Sequence, residues 1–439
     1  MKTVLKYIIT YAILIIFFVI SLTIVSIIPS SYIYENVKES AETLYSEGNR
    51  KIVNIPYRNC DMQFDNYTDA LMINTAYSID NSNPVESVFL ARKNYIKEKT
   101  KIIEQDNVGE LKSASKYEKH NEVGELVDLV NSDIDESFEY ARYWHGYLIL
   151  LRPMLVLFNI NEIRTIIFII IFILLLIFFY LLQKNTNVII GLLFTIGLFC
   201  VEYFYLGYTL QGISVFLIAI ISSIIILMKN KKINNTLLFF IIGMLTNFFD
   251  FFTVPIITLG IPLLVVLLLK EGEYSFKKSI IEFVKHVLAW IAGYTITWFT
   301  KWLLVDIIFR RDLIKIAFEQ IGFRSTATKY TILDAIGQNL KYEDKFIIIS
   351  IILNMIMSVI YLFIKGSKEN KYTALEIIPY MLIAIAPYVW YAVIKNHSIE
   401  HAFFTYRNQV ISIIGLNIII HKLIMNAKIG ERFQIRKNS

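Results

Sequence analysis

Residues 163–182 read IRTIIFIIIFILLLIFFYLL, and 17 of these 20 residues are Ile, Leu or Phe. A helix of that length spans about 30 Å, the thickness of a bilayer's hydrocarbon core. Similar runs lie near 5–28, 187–207, 211–228, 236–252, 256–269, 283–305, 345–364, 377–394 and 408–425. That gives about ten expected spans, although the run at 256–269 is short for one. The run at 5–28 is too long for a signal-peptide core, so it is expected to be retained. The stretch 147–158 is too short to cross and holds Arg152-Pro153, which suits an interfacial or re-entrant piece.

The composition agrees with that reading. Of 439 residues, 56% are hydrophobic and only 18% are charged, with a mean hydropathy of +0.53. Soluble domains carry roughly 25% charged residues. The balance excludes a disordered chain, a disulfide scaffold and a nucleic-acid binder driven by basicity. Cys60 and Cys200 supply neither a disulfide framework nor a metal site.

Lys and Arg near span ends favour the cytoplasmic side. Ten spans threaded from an inside N-terminus leave Lys184, Lys229, Lys270 and the tail from Lys422 inside. Both termini are then cytoplasmic, and every aspartate falls outside or at an outer span end. Residues 30–146 hold 13 Lys/Arg and 21 Asp/Glu, a net of −8, which leaves +14 on the rest of the chain. The expected fold is an all-α polytopic membrane protein with a large, mainly helical first extracytoplasmic loop. Its divisions are a first span (1–28), the loop with an interfacial segment (29–162), spans two to seven (163–305), a second outer loop (306–344), spans eight to ten (345–425) and a basic tail (426–439). Within the first loop, 32–45 and 91–103 read as polar-faced helices, and 107–121 as an exposed charged stretch. Leu126, Leu129 and Val130, followed by Phe138 and Tyr140, suggest one more amphipathic helix; no strand-like alternation stands out.

Charges at span mouths are costly and therefore candidates for function, and four groups collect on the outer side. In the first, Asp61, Asp65 and Asp69 share one face if the segment is helical, and their mutual repulsion calls for a cation, a metal or a raised pKa. The bland alternative makes Asp65 the cap of a helix beginning at Asn66 or Tyr67. The second is Arg142, Trp144, His145 and Arg152, three cations among aromatics that otherwise suit an interfacial belt. The third is Asp250 among four phenylalanines, with Glu202 as a weaker companion. The fourth is His397, His401 and Arg407, whose spacing suits a phosphate or pyrophosphate; the Glu of a His-Glu-x-x-His zinc site is missing. The loop 306–344 adds Arg324 and Lys329, either a clamp for a lipid-linked phosphate or part of a neutral cap.

A first span, a large outer loop with early acids, an aromatic-Arg segment at 142–147 before the second span, and about ten spans together resemble the GT-C superfamily. These are membrane glycosyltransferases that use polyprenyl-phosphate-linked sugars. The resemblance implies an aspartate base, Asp65 or Asp69 with Asp61 in support, and a donor phosphate held by Arg324, Lys329, His397, His401 and Arg407. It implies Asp250, Glu202, Arg142, Trp144, His145 and Arg152 toward sugar or acceptor, and a possible divalent metal on Asp65, Asp69 and Glu202. Partners would be the lipid-linked sugar, membrane lipid and a surface glycan or lipid acceptor, in a bacterial plasma membrane, with no nucleic acid. The sequence lacks the family's usual adjacent pair of acids in the first loop. Two other readings stay open: a lipid-linked-sugar flippase or transporter, and a surface-polysaccharide polymerase or ligase.

Overall fold

The computed structural model describes residues 2–54, 60–95, 121–132, 136–229, 234–271, 276–325, 330–365 and 374–426. The helices in chain order are α1 (Lys2–Ser26), α2 (Tyr34–Glu47), α3 (Asn66–Tyr77), α4 (Pro84–Leu90), α5 (Glu122–Asn131), α6 (Leu148–Leu157) and α7 (Ile160–Asn185). They continue as α8 (Val188–Cys200), α9 (Ile213–Lys229), α10 (Asn235–Phe249), α11 (Ile257–Leu269), α12 (Phe276–Phe309) and α13 (Leu313–Ser325). The last six are α14 (Ile332–Leu340), α15 (Asp344–Lys365), α16 (Ala374–Val393), α17 (Lys395–Glu400), α18 (Ala402–Thr405) and α19 (Gln409–Met425).

Six helical stretches among the described residues are long and apolar enough to cross a membrane: Val4–Ser26, Ile160–Asn185, Phe276–Phe309, Lys345–Ile364, Leu375–Val393 and Ala402–Met425. The other four expected spans form α8 to α11, which are 13 to 17 residues long. Such helices cover about 20–25 Å, less than the hydrocarbon core. Two of these apolar runs end in turns instead of continuing as helix. The run near 187–207 breaks at Glu202 (φ +50°) into a 3-10 segment, Tyr203–Tyr208. The run near 236–252 stops at Asp250.

Polar side chains at the connections define several helix starts. Asn159 and Glu162 form a capping box at α7, and Asn187 and Asn234 cap α8 and α10 through Ile190 N–H (3.0 Å) and Leu237 N–H (3.2 Å). Helices α10 and α12 meet backbone to backbone at Gly243 and Gly293, where any Cβ would collide with the carbonyls of Trp290 and Phe240. The Ala402–Met425 stretch is the centre of the bundle: 78% of its apolar window is buried, against 17–33% for the other five. Those five present apolar faces outward, as lipid-facing helices do.

The polar region after α1 departs from an all-helical loop. Four strands, β1 (Lys51–Val53), β2 (Met62–Phe64), β3 (Arg92–Tyr95) and β4 (Glu136–Glu139), pair antiparallel as β1–β2 and β3–β4. The helix expected over 91–103 is therefore replaced at its start by β3. Ala91 takes a left-handed turn (φ +45°), and Arg92 pairs across the sheet with Glu139 at 3.4 Å. Asn94 N–H donates to Asn74 Oδ1 (3.1 Å). Tertiary partners override the local helical preference there. The helix expected over 32–45 is observed as α2, and α5 carries Leu126, Leu129 and Val130 on its buried face. The charged stretch 107–120 lies outside the described residues.

Candidate functional site

The strand β2 delivers its chain end to Asp65, which is the N-cap of α3, so Asp61, Asp65 and Asp69 do not form one helical face. Asp65 accepts Thr68 N–H (3.2 Å) on Oδ1 and Thr68 Oγ1 (2.6 Å) on Oδ2, and the Gln211 side chain donates to it as well. It is 8% exposed. Burial raises its pKa, opposed by the Thr68 bonds and the nearby Arg50 charge. Asp61 is exposed, precedes β2 and accepts Asn54 Nδ2 at 2.9 Å.

Asp69, one turn into α3, is fully buried and serves the chain itself. Its Oδ1 accepts Leu210 N–H (2.9 Å), Thr209 Oγ1 (3.2 Å) and Gln211 N–H (3.4 Å), while its Oδ2 lies 3.8 Å from Arg164. Burial pushes the carboxyl up to about 7, against the pull of Arg164 and the Leu210 N–H. Arg164 also binds Glu47 (3.0 Å) and Asn66 (3.1 Å). One network thus fixes α2, α3, the start of α7 and the 209–211 loop.

That loop and the Asp65 turn line a narrow cleft, together with Thr253, Phe404 and Arg407. Five chain segments meet there: 63–65, 206–212, Phe216 at the start of α9, 253–254 and 403–407. Arg407 is 6% exposed, its guanidinium lies over the Tyr406 ring (5.0 Å), and its Nε has no hydrogen-bond partner. Tyr406 stacks on Tyr342 (centroids 4.9 Å, planes 9° apart), and its hydroxyl donates to Glu202. Glu202 therefore supports the wall that carries Arg407.

Asp250 closes the turn that brings Thr253 to the cleft. Its carboxylate accepts Thr253 N–H (3.0 Å) and Thr253 Oγ1 (2.5 Å), and burial pushes it up to about 6, opposed by these bonds. The next residues place Phe252 (φ +68°) beneath Arg324, whose guanidinium lies 5.3 Å from the ring. Arg324 donates to His397 Nδ1 (3.3 Å), His397 lies 4.7 Å from His401, and His401 stacks on the cleft residue Phe404 (5.2 Å). Since Arg has no acceptor, His397 Nδ1 carries the lone pair. Burial holds His397 well below, and His401 down at about 3, so both rings are neutral near pH 7; neighbouring charges of His401 and Arg324 add to this at His397, and those of Arg324 and Arg50 at His401.

The second expected group is placed elsewhere and is used in packing. His145 (φ +57°) bonds Tyr140 O (2.7 Å) and Tyr147 OH (3.2 Å), and burial lowers its pKa to about 3. Trp144 donates to Thr297 O (2.9 Å), and the Arg142 carbonyl accepts Trp298 and Trp302. Arg152 is fully buried and donates to Ala76 O, Ile28 O (2.5 Å) and Ser30 Oγ (3.1 Å), tying α6 to the ends of α1 and α3. Lys329 lies outside the described residues.

Asp65, Asp69 and Glu202 are each engaged with different neighbours, and among the described residues no three His, Cys, Asp or Glu side chains group as metal ligands. Arg50, Gln211, Thr253 and Tyr406 belong to the site region without having stood out in the sequence. Gln211-Gly212, with Gly212 at φ +75°, and the turn at Gly48 (φ +77°) shortly before Arg50 are the signals that mark two of them. No protein-family model, curated protein or solved structure matches the chain.

Proposed function

We propose that the chain is a membrane glycosyltransferase of the GT-C kind, moving a sugar from a polyprenyl-phosphate donor to a surface glycan or lipid acceptor. The observation that carries this reading is the shared cleft of Asp65 and Arg407. A buried carboxylate with a raised pKa lines the same space as a buried guanidinium whose Nε has no partner. The charge of the buried Glu343 acts on Arg407, and a transferase leaving group would add a second anion on the cleft side. In this reading ten helices cross the bilayer, with α8 to α11 among them, and the N-terminus is inside. The cleft then belongs to the outer face, since every segment that lines it connects helices at the same end.

The chemistry follows from the two sides of the cleft. The acceptor oxygen attacks the anomeric carbon while its proton passes to the Asp65 carboxylate. The new glycosidic C–O bond forms as the bond between that carbon and the phosphate oxygen breaks. Charge developing on the departing lipid phosphate is met by Arg407, with Arg324, backed by His397, along the wall beyond Phe404. Gln211 and Thr68 hold Asp65 in place, and Asp69 holds the loop that carries Gln211.

A transport reading draws on one observation, a polar seam between α15 and α19. Ser358 Oγ bonds His421 Nδ1 (2.8 Å) and Asn354 Oδ1 (2.9 Å), while Asn354 Nδ2 donates to Asn417 O (2.8 Å) and Asn417 Nδ2 to Ser350 Oγ (3.2 Å). These groups are bonded to each other across the two helices, as in other interhelical hydrogen bonds. The test is mass spectrometry of cell-envelope glycans and lipid-linked intermediates from cells lacking the gene, complemented with wild type or Asp65→Asn. Loss of one sugar from the glycan, with its lipid-linked donor accumulating in the gene-less and Asp65→Asn cells, supports transfer. Full transfer by Asp65→Asn would overturn it.

A further inference from the structure

Helix α13 has an unusual surface for a connector. The chain leaves α12 at Arg310 (φ +53°), and Asp306 then caps α13 by accepting Leu313 N–H (2.6 Å) and Ile314 N–H (3.1 Å). Arg311 fastens the same corner to Glu139 with two bonds (2.9 and 2.8 Å). The helix is therefore held in place at its start. Leu313 and Ala317 form its buried face, and Arg324 in the last turn reaches His397. Lys315 and Glu319 lie on the opposite, exposed crest. Between these two faces, four large apolar side chains are left uncovered: Ile316, Phe318, Ile321 and Phe323, with Phe318 59% and Phe323 55% exposed.

Two features say what covers them. The exposed apolar face of α12 runs up to this corner through Ile307 (67% exposed) and Ile308, and the Trp302 and Phe318 rings approach to 6.2 Å. The flank of α13 that holds Phe318 and Ile321 thus continues the lipid-facing belt of a membrane span, and Ile316 and Phe323 border the crest on its other side. Arg310, Arg311 and Lys315 sit at the same end, where phosphate headgroups would meet them. A charged crest between apolar flanks suits a helix lying at the boundary between headgroups and acyl chains.

We propose that α13 is an interfacial helix seated in membrane lipid, and that this seating holds Arg324 against His397 so that the site opens at the level of the lipid surface. The seating stands independently of the enzymatic reading; only the link to substrate rests on Arg324 being an anion-binding group.

The experiment uses the full chain in lipid nanodiscs, in a Cys60→Ser, Cys200→Ser background. An environment-sensitive fluorophore is attached at Phe318→Cys, Phe323→Cys or, on the crest, Glu319→Cys. Emission at 318 and 323 is expected to be blue-shifted and quenched by brominated lipid, whereas that at 319 is quenched by aqueous iodide. Iodide quenching at 318 and 323 equal to that at 319 would overturn the seating. So would shielding from both quenchers together with a dimer in solution, which would show a second copy covering the face. Binding of a long-chain polyprenyl phosphate to Phe318→Ser, Phe323→Ser protein is expected to weaken by about tenfold, with inorganic pyrophosphate binding unchanged. Unchanged lipid binding would overturn the link to the site, and loss of both ligands would place the two phenylalanines in folding.

Discussion

Asp69 accepts the backbone N–H of Leu210 at 2.9 Å across 141 residues of chain, and this bond fixes the loop from which Gln211 reaches Asp65. Two carboxylates four residues apart, one capping α3 and one inside it, thus have different tasks. Asp69 is enclosed and structural, whereas Asp65 borders open space.

The first prediction separates cap from base at Asp65. Asn caps helices as well as Asp does, so Asp65→Asn is expected to unfold within about 1 kcal/mol of wild type. Sugar transfer should fall by about a hundredfold or more, the usual contribution of a general base. Thermal unfolding and glycan mass spectrometry on the same variant check both halves.

The pH dependence of stability should carry the signature of Asp69. Its folded pKa, about 7, lies above the ordinary 3.8, so between those values the native state holds a proton that the unfolded chain has lost. Stability from this group is complete below about pH 4 and is lost as pH rises toward 7. Asp250 acts with the same sign, whereas His145 and His401, whose folded pKa values are lowered, act oppositely below about pH 6.5. The check is therefore a difference: Tm of Asp69→Asn minus that of wild type should rise from pH 4.5 to 7.5.

Pyrophosphate should raise the Tm of the wild-type protein, because a ligand that binds only the native state stabilises it by mass action, about 2.7 kcal/mol at a hundredfold excess over Kd. Arg407→Gln should remove that rise. An equal rise in the variant would take Arg407 out of the anion site.

Arg152→Ala should be destabilising by about 2 kcal/mol, since it strands the buried carbonyl of Ala76, while the Ile28 carbonyl keeps its bond from Asn81. Arg152 does not line the cleft, so transfer per folded molecule should stay at the wild-type level. Expression level and specific transfer, measured together, distinguish a structural arginine from a binding one.

The seam between α15 and α19 offers a last contrast. Asn354→Leu should weaken the bundle by roughly 0.5–2 kcal/mol, the scale of interhelical hydrogen bonds in membranes, and leave sugar transfer intact. Loss of transfer with unchanged stability would instead give the seam a direct part in function.

The clusters at Asp65, Asp250 and His397–Arg407 were legible because charge at a span mouth is conspicuous against Ile, Leu and Phe. Their division of labour was not. Asp65 and Asp69 look alike in the sequence, and only the chain returning at 209–211 makes one of them a scaffold. Arg142, His145 and Arg152 read as convergent cations, yet the fold turns His145 and Arg152 to backbone oxygens. Arg164, inside the apolar run that marks a span, is the group that ties Asp69, Asn66 and Glu47 together.

Hydrophobic runs and their spacing were enough to determine a helical membrane protein and the places where polar groups must gather, because the penalty for burying charge in hydrocarbon acts locally along the chain. Which helices stop short, which strands pair, and which of several acids and cations face one cleft were decided by tertiary structure. The last of these rests on hydrogen bonds between residues more than a hundred positions apart, such as Asp69 with Leu210 and Tyr406 with Glu202. A local pattern carries no information about a partner that arrives only when the helices pack.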